Sequence, residues 1–170
     1  MRRSLPCLAA CLALGCTMVA DARVVRPAPD FTWTDYNGKA MSLASLKGQP
    51  VVLIIAPSPT DRTFRAQIGQ LQKAYQRFAA AKLVCFAAFT SEGGTVKSNI
   101  PFIVAPDGPR VAFLYDVPAG FAIAVIGPDG NLDCLWRKVL PAQRILDIMD
   151  NNYEVQRGFR SEHLGSIPID

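Results

Sequence analysis

Two uninterrupted apolar runs with one amphipathic segment between them constrain the fold of this chain most strongly. The runs are Val51–Ile55 and the apolar residues that follow Lys82 in the strand-like segment Lys82–Phe89, and the amphipathic segment is Phe64–Phe78. A strand that is apolar throughout is typical of a sheet buried on both faces. A strand, a helix and a second strand predict a right-handed parallel crossover. The sequence therefore predicts an α/β fold with a central mixed β-sheet flanked by helices.

The amphipathic segment predicts a helix whose apolar stripe packs on the sheet. Spacings of three and four residues place on one face Phe64, Ile68, Leu71, Tyr75 and Phe78. The polar residues expected on the opposite face are Gln67, Gln72, Lys73, Gln76 and Arg77. For the helix start, the pattern predicts Ser58 as the N-cap, Pro59 at the first helical position and Asp61 three residues after the cap.

The remaining elements follow from turn residues. Asn37-Gly38 between two alternating runs predicts an early hairpin. The link Ser91–Asn99 is too short for a long helix, and an extended piece and a brief helix are expected at Ile100–Val104 and Val111–Tyr115. A late hairpin of Phe121–Ile126 and Asn131–Trp136, joined at Gly127–Gly130, and a closing helix over Pro141–Asp150 complete the prediction.

The N-terminal residues are typical of a secretion signal. A basic start is followed by the apolar run Leu5–Ala20 and the small-x-small site Ala20-Asp21-Ala22. We expect residues 1–22 to be a signal peptide, 23–157 a single domain and 158–170 a loosely ordered tail. This predicts export, to the periplasm, without stable membrane insertion after cleavage. Two alternatives stay open: an uncleaved anchor, and a lipoprotein attached through Cys16 in a lipobox-like sequence.

Signal cleavage would leave Cys85 and Cys134 as the cysteines of the mature chain. In the sheet that the family resemblance described below implies, their strands lie on opposite sides of the two central strands, about 14 Å apart at roughly 4.8 Å per strand spacing. A disulfide needs Cα atoms within roughly 7 Å. We therefore expect no disulfide between these two thiols.

Charge and composition argue against several functions. The formal net charge is +4, and the basic residues are spread along the chain, so we expect no nucleic-acid partner. His163 is the single histidine and lies in the tail, so neither a Ser-His-Asp triad nor a histidine-rich metal site can be assembled. We expect no cofactor and no metal.

Three ordered stretches carry a resemblance to a known family. They are Ala28–Leu53, Asn99–Val117 and Ala124–Leu132. The chain resembles the redoxin and peroxiredoxin branch of the thioredoxin superfamily, often called alkyl hydroperoxide reductase/thiol-specific antioxidant. The resemblance implies a thioredoxin-like fold.

The same resemblance locates the family's functional positions, and these carry different residues. Pro57 matches the family's proline, whereas Asp61 stands at its threonine and Phe64 at its peroxidatic cysteine. Phe121 stands where the family has a cis-proline or an arginine before the late strand. The resemblance thus implies a vestigial site at Asp61, Phe64 and Phe121.

We expect a non-catalytic protein that binds a protein, a peptide or an apolar ligand at this vestigial site. Phe64, Phe121 and the loop Ser58–Thr63 would form an apolar groove. The candidate binding residues of that loop are Ser58, Thr60, Arg62 and Thr63. One alternative is a thiol-dependent antioxidant oxidoreductase or peroxidase using Cys85 or Cys134. Another is a stability or assembly role without any site.

Overall fold

The computed structural model describes residues 26–150, so the predicted signal peptide and tail lie outside the described part of the chain. Between residues 26 and 150 the strands are β1 (Arg26–Pro27), β2 (Thr32–Thr34), β3 (Ala40–Ser42), β4 (Val51–Ala56), β5 (Val84–Phe89), β6 (Phe102–Val104), β7 (Ala122–Ile126) and β8 (Asn131–Trp136). The helices are α1 (Arg62–Lys73), α2 (Tyr75–Ala80), α3 (Gly108–Leu114) and α4 (Ala142–Asp150), with a 3-10 turn at Leu43–Leu46.

Six strands form a mixed sheet in the order β1-β8-β7-β4-β5-β6. β4 pairs in parallel with β5, β5 in parallel with β6, and the other neighbours are antiparallel. One face packs against α1, α2 and α4, and the other against α3 and the β2–β3 hairpin. The predicted fold class is confirmed, and β4 is buried at every position, as its apolar sequence indicates.

Both hairpins form where the turn residues predict them. β2 pairs with β3, and the Asp35 carboxylate accepts the backbone N–H groups of Asn37 and Lys39 at 2.8 and 2.9 Å. Gly38 has φ +79°, which favours glycine because it lacks a Cβ. The late hairpin pairs β7 with β8.

The helix after β4 begins and ends at other residues than predicted. Its N-cap is Asp61 and not Ser58, because the Asp61 carboxylate accepts backbone N–H groups of the first turn. Ser58 instead shares a 2.9 Å hydrogen bond with the Thr60 hydroxyl. The helix is also interrupted at Ala74, which has φ −121°, so α1 and α2 replace one continuous helix.

Gln67 is buried rather than solvent-exposed, which corrects the predicted polar face of α1. Its amide donates to the Leu140 carbonyl at 3.0 Å, and its Oε1 accepts the Leu140 N–H at 2.7 Å. A polar side chain is tolerated in a core when its hydrogen bonds are made there. The loop before α4 is thereby fixed to α1.

Candidate active site

The candidate site lies in the loop that joins β4 to α1. This loop is held from one side by the chain that follows β5. The Pro57 carbonyl accepts the N–H groups of Ser91 and Glu92, each at 3.0 Å, and the Ala56 carbonyl accepts the N–H of Thr90 at 3.0 Å. These hydrogen bonds fix the backbone at the end of β4. The start of α1 is therefore placed rigidly relative to the sheet.

Asp61 occupies the hydrogen-bond donors at the start of α1. Its Oδ1 accepts the backbone N–H groups of Thr63 and Phe64, both at 2.9 Å. The first N–H groups of a helix have no partner within the helix and, with the helix dipole, would otherwise be available to an anion. Here a protein carboxylate takes two of them and brings its own negative charge to the same place.

Phe64 lies in the hydrophobic core and has no exposed surface. Its ring packs edge-to-face on Phe89, with centroids 5.1 Å apart, and lies 6.1 Å from the ring of Phe102. The expectation that Phe64 lines an apolar groove is therefore wrong, because β5 and β6 supply aromatic rings that cover it. Its predicted place on the apolar stripe of the helix is confirmed.

Phe121 lies immediately before β7 and is half-buried. It packs against the same core cluster that contains Phe64. No peptide bond among residues 26–150 is cis, so the backbone at Phe121 is trans. The structure thus brings two of the three predicted vestigial positions, Phe64 and Phe121, to one core cluster, whereas Asp61 caps the helix outside it. The aromatic rings that flank Phe64 are nevertheless Phe89 and Phe102.

The four candidate binding residues lie within the loop, and the surface that they form is polar. Thr60 and Arg62 are exposed, and Ser58 and Thr63 are half-buried. Because Phe64 is buried, hydroxyl groups and one guanidinium dominate what this loop offers to solvent. The surface suits hydrogen bonding more than the burial of an apolar ligand.

The two thiols lie away from this loop. Cys85 is buried near the start of β5, and burial raises its pKa to about 12. Cys134 is half-buried in β8. Strands β7 and β4 lie between β8 and β5, as predicted, and Cys85 and Cys134 form no disulfide.

Sequence reasoning missed the roles of Asp61 and Gln67. Aspartate is as good an N-cap as serine, so Asp61 was an available choice, and the serine-proline pair favoured the wrong one. Gln67 has no comparable local signal, because its partner Leu140 is 73 residues away. Within residues 26–150 no cluster of three His, Cys, Asp or Glu side chains could hold a metal ion. No helix in that part is long and apolar enough to cross a membrane.

Solved structures with this fold include a thiol:disulfide interchange protein from Bacteroides sp. Its TM-score is 0.57 at 16% identity, and the match covers 82% of this chain and 96% of that one. Thioredoxin peroxidase I from Plasmodium yoelii matches with a TM-score of 0.56 at 18% identity, over 85% of this chain and 95% of that one. Both likenesses show that the fold is thioredoxin-like.

Sequence comparison gives the family. Chloroplastic peroxiredoxin Q from Oryza sativa subsp. japonica is 30% identical over 98 residues, which are 54% of this chain and 45% of the rice protein. The match thus spans less than half the length of that relative. The family model described as AhpC/TSA family matches residues 24–119, more than half of the sequence. This chain therefore belongs to the AhpC/TSA family, within the redoxin and peroxiredoxin-like part of the thioredoxin superfamily.

Proposed function

We propose that this protein is an exported, non-catalytic redoxin that binds a protein or peptide partner through the loop Ser58–Thr63. One observation carries the proposal: the residue at the family's nucleophile position, Phe64, is a fully buried core phenylalanine. The sequence has no cysteine between Cys16 and Cys85, so the loop and α1 contain no thiol at all.

The chemistry of peroxide or disulfide reduction requires an accessible thiolate, because the protonated thiol is a poor nucleophile. Phenylalanine provides neither a nucleophile nor a proton. Asp61 adds a second obstacle. Its carboxylate holds the N–H groups of Thr63 and Phe64 and would repel a neighbouring thiolate.

Neither remaining cysteine of the domain has the setting of a reactive thiol in this family. The pKa of Cys85 is raised to about 12 by burial, so this thiol stays protonated at neutral pH. Cys134 lies on β8, two strands away from β4 and hence away from the start of α1. The helix dipole that activates thiols at helix N-termini does not act there.

The exposed groups of the loop favour a partner with a polar surface. Ser58 and Thr60 bond each other, and Arg62 extends into solvent beside them. With Phe64 buried, the apolar area that a lipophilic ligand would need is smaller than the sequence suggested. A peptide or protein surface, which offers hydrogen-bonding groups, fits this loop better.

Turnover assays test the catalytic part of the proposal. We expect no reduction of hydrogen peroxide or insulin disulfides by the purified protein with a thioredoxin recycling system. We also expect Cys85 to react with an alkylating agent only after unfolding. Turnover that disappears in Cys85→Ala or Cys134→Ala would overturn the proposal in favour of a thiol peroxidase or oxidoreductase.

Site-directed photocrosslinking tests the partner part. A photoreactive phenylalanine analogue at Thr60 should yield a defined adduct in cells, and Arg62→Glu should remove it. The matched control is the same analogue at Arg110, an exposed residue on α3, which packs on the opposite face of the sheet from α1. Adducts of equal yield at both positions would contradict a specific binding loop.

Mass spectrometry of the protein from the periplasmic fraction tests export. The mature N-terminus should be Arg23, as the cleavage site after Ala22 predicts. A mature N-terminus at a lipid-modified Cys16 would show that the exported protein is a lipoprotein. An intact Met1 on a protein confined to the cytoplasm would overturn export.

A further inference from the structure

A cleft of about 650 Å³ lies where the end of α1, the start of α2, the chain before β6 and the start of α4 meet. This volume is in the range of ligand-binding sites. The loop Ser58–Thr63 precedes α1, whereas the cleft lies at the other end of that helix. Since the lining begins at Gln70, eight residues after Arg62, the two surfaces are about 12 Å or more apart along the helix axis. The cleft is thus a second surface, independent of the proposed binding loop.

The cleft is lined by positive charge. Lys73 and Arg77 line it, both exposed and four residues apart, and none of its lining residues is acidic. The N-terminal residues of α4, Ala142 and Gln143, form part of another wall, and a helix N-terminus carries partial positive charge. The carboxylate of Asp147 accepts a hydrogen bond from Gln143 Nε2 at 2.8 Å and is not among the residues that line the cleft. An anionic ligand is favoured.

Hydrogen bonds between elements hold the polar walls in place. Arg77 Nη1 donates to Gln143 Oε1 at 3.0 Å, and Gln143 Nε2 donates to Asp147 Oδ1 at 2.8 Å. Across the cleft, Gln72 Nε2 donates to Asn99 Oδ1 at 2.8 Å. An arginine has five N–H donors, so Arg77 can hold Gln143 and still bind a carboxylate. Positioning before binding lowers the entropy cost of binding.

The lining chemistry narrows the ligand further. Side-chain amides carry both donors and an acceptor, which match the alternating N–H and C=O groups of a peptide backbone. Tyr75, with 39% of its surface exposed, adds an aromatic ring on which a side chain can pack. The amides that line the cleft are Gln70, Gln72, Gln76, Asn99 and Gln143.

We propose that this cleft binds an acidic peptide segment, with Arg77 and Lys73 binding its carboxylates and the amide side chains bonding its backbone. The proposal does not rest on the loss of thiol chemistry. It also does not require the loop Ser58–Thr63 to bind anything.

The test is an NMR titration of the ¹⁵N-labelled protein with an acetylated, amidated tetraglutamate peptide. The matched control ligand is the same peptide made of glutamine. We expect shifts concentrated at residues 70–77, 99 and 142–143, saturable binding and an affinity that falls with added salt. Arg77→Gln should weaken binding about three- to tenfold, since each charged contact at an exposed site is modest.

Arg110→Gln removes the same charge from an exposed position on α3, on the face of the sheet opposite α1, and should leave the affinity within about twofold, as expected for a surface charge outside the cleft. Equal weakening by Arg77→Gln and Arg110→Gln would show non-specific attraction and overturn the proposal. Equal affinity for the glutamine peptide would do the same. Inorganic phosphate producing the same shifts at the same concentration would identify a simple anion site, and shifts at residues 58–63 instead would place peptide binding at the loop.

Discussion

Asp61 Oδ1 accepts the backbone N–H of Phe64 at 2.9 Å, so the residue that we propose stands at the family's threonine position caps the residue that we propose stands at its cysteine position. In a thiol enzyme built on this helix, that N–H group would face a thiolate. Here its hydrogen bond is satisfied by a carboxylate, and the attached side chain points into the core. The same local contact therefore stabilises the helix and removes an anion-binding group.

Asp61→Ala should lower the free energy of unfolding by about 1 kcal/mol, the usual cost of losing an N-cap. Urea denaturation monitored by circular dichroism measures this change. Ser58→Ala is the matched control and should change stability by less than about 0.5 kcal/mol, because an exposed hydroxyl pair contributes little. A larger loss of stability for Ser58→Ala than for Asp61→Ala would mean that Ser58, and not Asp61, is the N-cap of the helix.

Phe64→Cys places a thiol at the proposed nucleophile position without restoring the surroundings of a reactive thiol. We expect a loss of about 2–4 kcal/mol in stability, because a large core side chain leaves a cavity among Phe89 and Phe102. The new thiol should remain unreactive toward peroxide, since it is buried beside the Asp61 carboxylate.

A stopped-flow peroxide assay of Phe64→Cys in a Cys85→Ala, Cys134→Ala background isolates the introduced thiol. Adding Asp61→Thr to that background provides the comparison, because it removes the nearby negative charge. Rapid oxidation of the Phe64→Cys protein that keeps Asp61 would contradict the prediction. It would show that neither burial nor the Asp61 carboxylate suppresses the thiolate at this position.

The sheet and its hairpins could be predicted because their signals are local. Continuous apolar runs identified β4 and β5, and Asn37-Gly38 identified the β2–β3 turn. The helix start was misplaced by three residues because Ser58 and Asp61 are both good caps and Pro59 favoured the first. Such a choice is decided by the loop's tertiary hydrogen bonds, which the local pattern does not contain.

The structure of the candidate site was harder to predict, because it depends on contacts with residues that are distant in sequence. The apolar stripe placed Phe64 correctly toward the sheet, but how completely it is covered depends on Phe89 and Phe102, which follow in other strands. Likewise, the burial of Gln67 depends on Leu140. Contacts between residues far apart in sequence determined the errors at Phe64 and Gln67.

Gln67→Met should lower the free energy of unfolding by about 2 kcal/mol. The side chains are similar in size, but methionine leaves the N–H and C=O of Leu140 buried without their partner. Chemical denaturation measures the change, and Gln76→Met on the exposed side of α2 should be near neutral. Equal effects of the two replacements would mean that the Gln67 hydrogen bonds contribute nothing.

The buried thiol of Cys85 predicts a loss of stability in alkali. Burial raises its pKa from 9.0 to about 12, so above pH 9 the unfolded chain releases a proton that the folded chain retains. Unfolding then becomes more favourable as the pH rises, by about 1.4 kcal/mol for each pH unit between 9 and 12. Below pH 9 this contribution to stability is fully present. Tyr115 acts in the same direction, because burial raises its pKa as well.

Comparison with Cys85→Ala separates the two groups, since the variant keeps Tyr115. Urea unfolding at pH 8, 9 and 10 should show a steeper decline for the unmodified protein than for the variant above pH 9. The difference between the two declines should approach 1.4 kcal/mol per unit, apart from a constant offset for the smaller side chain. Parallel pH profiles would mean that Cys85 ionises as easily in the folded protein as in the unfolded chain, and would reopen its candidacy as a reactive thiol.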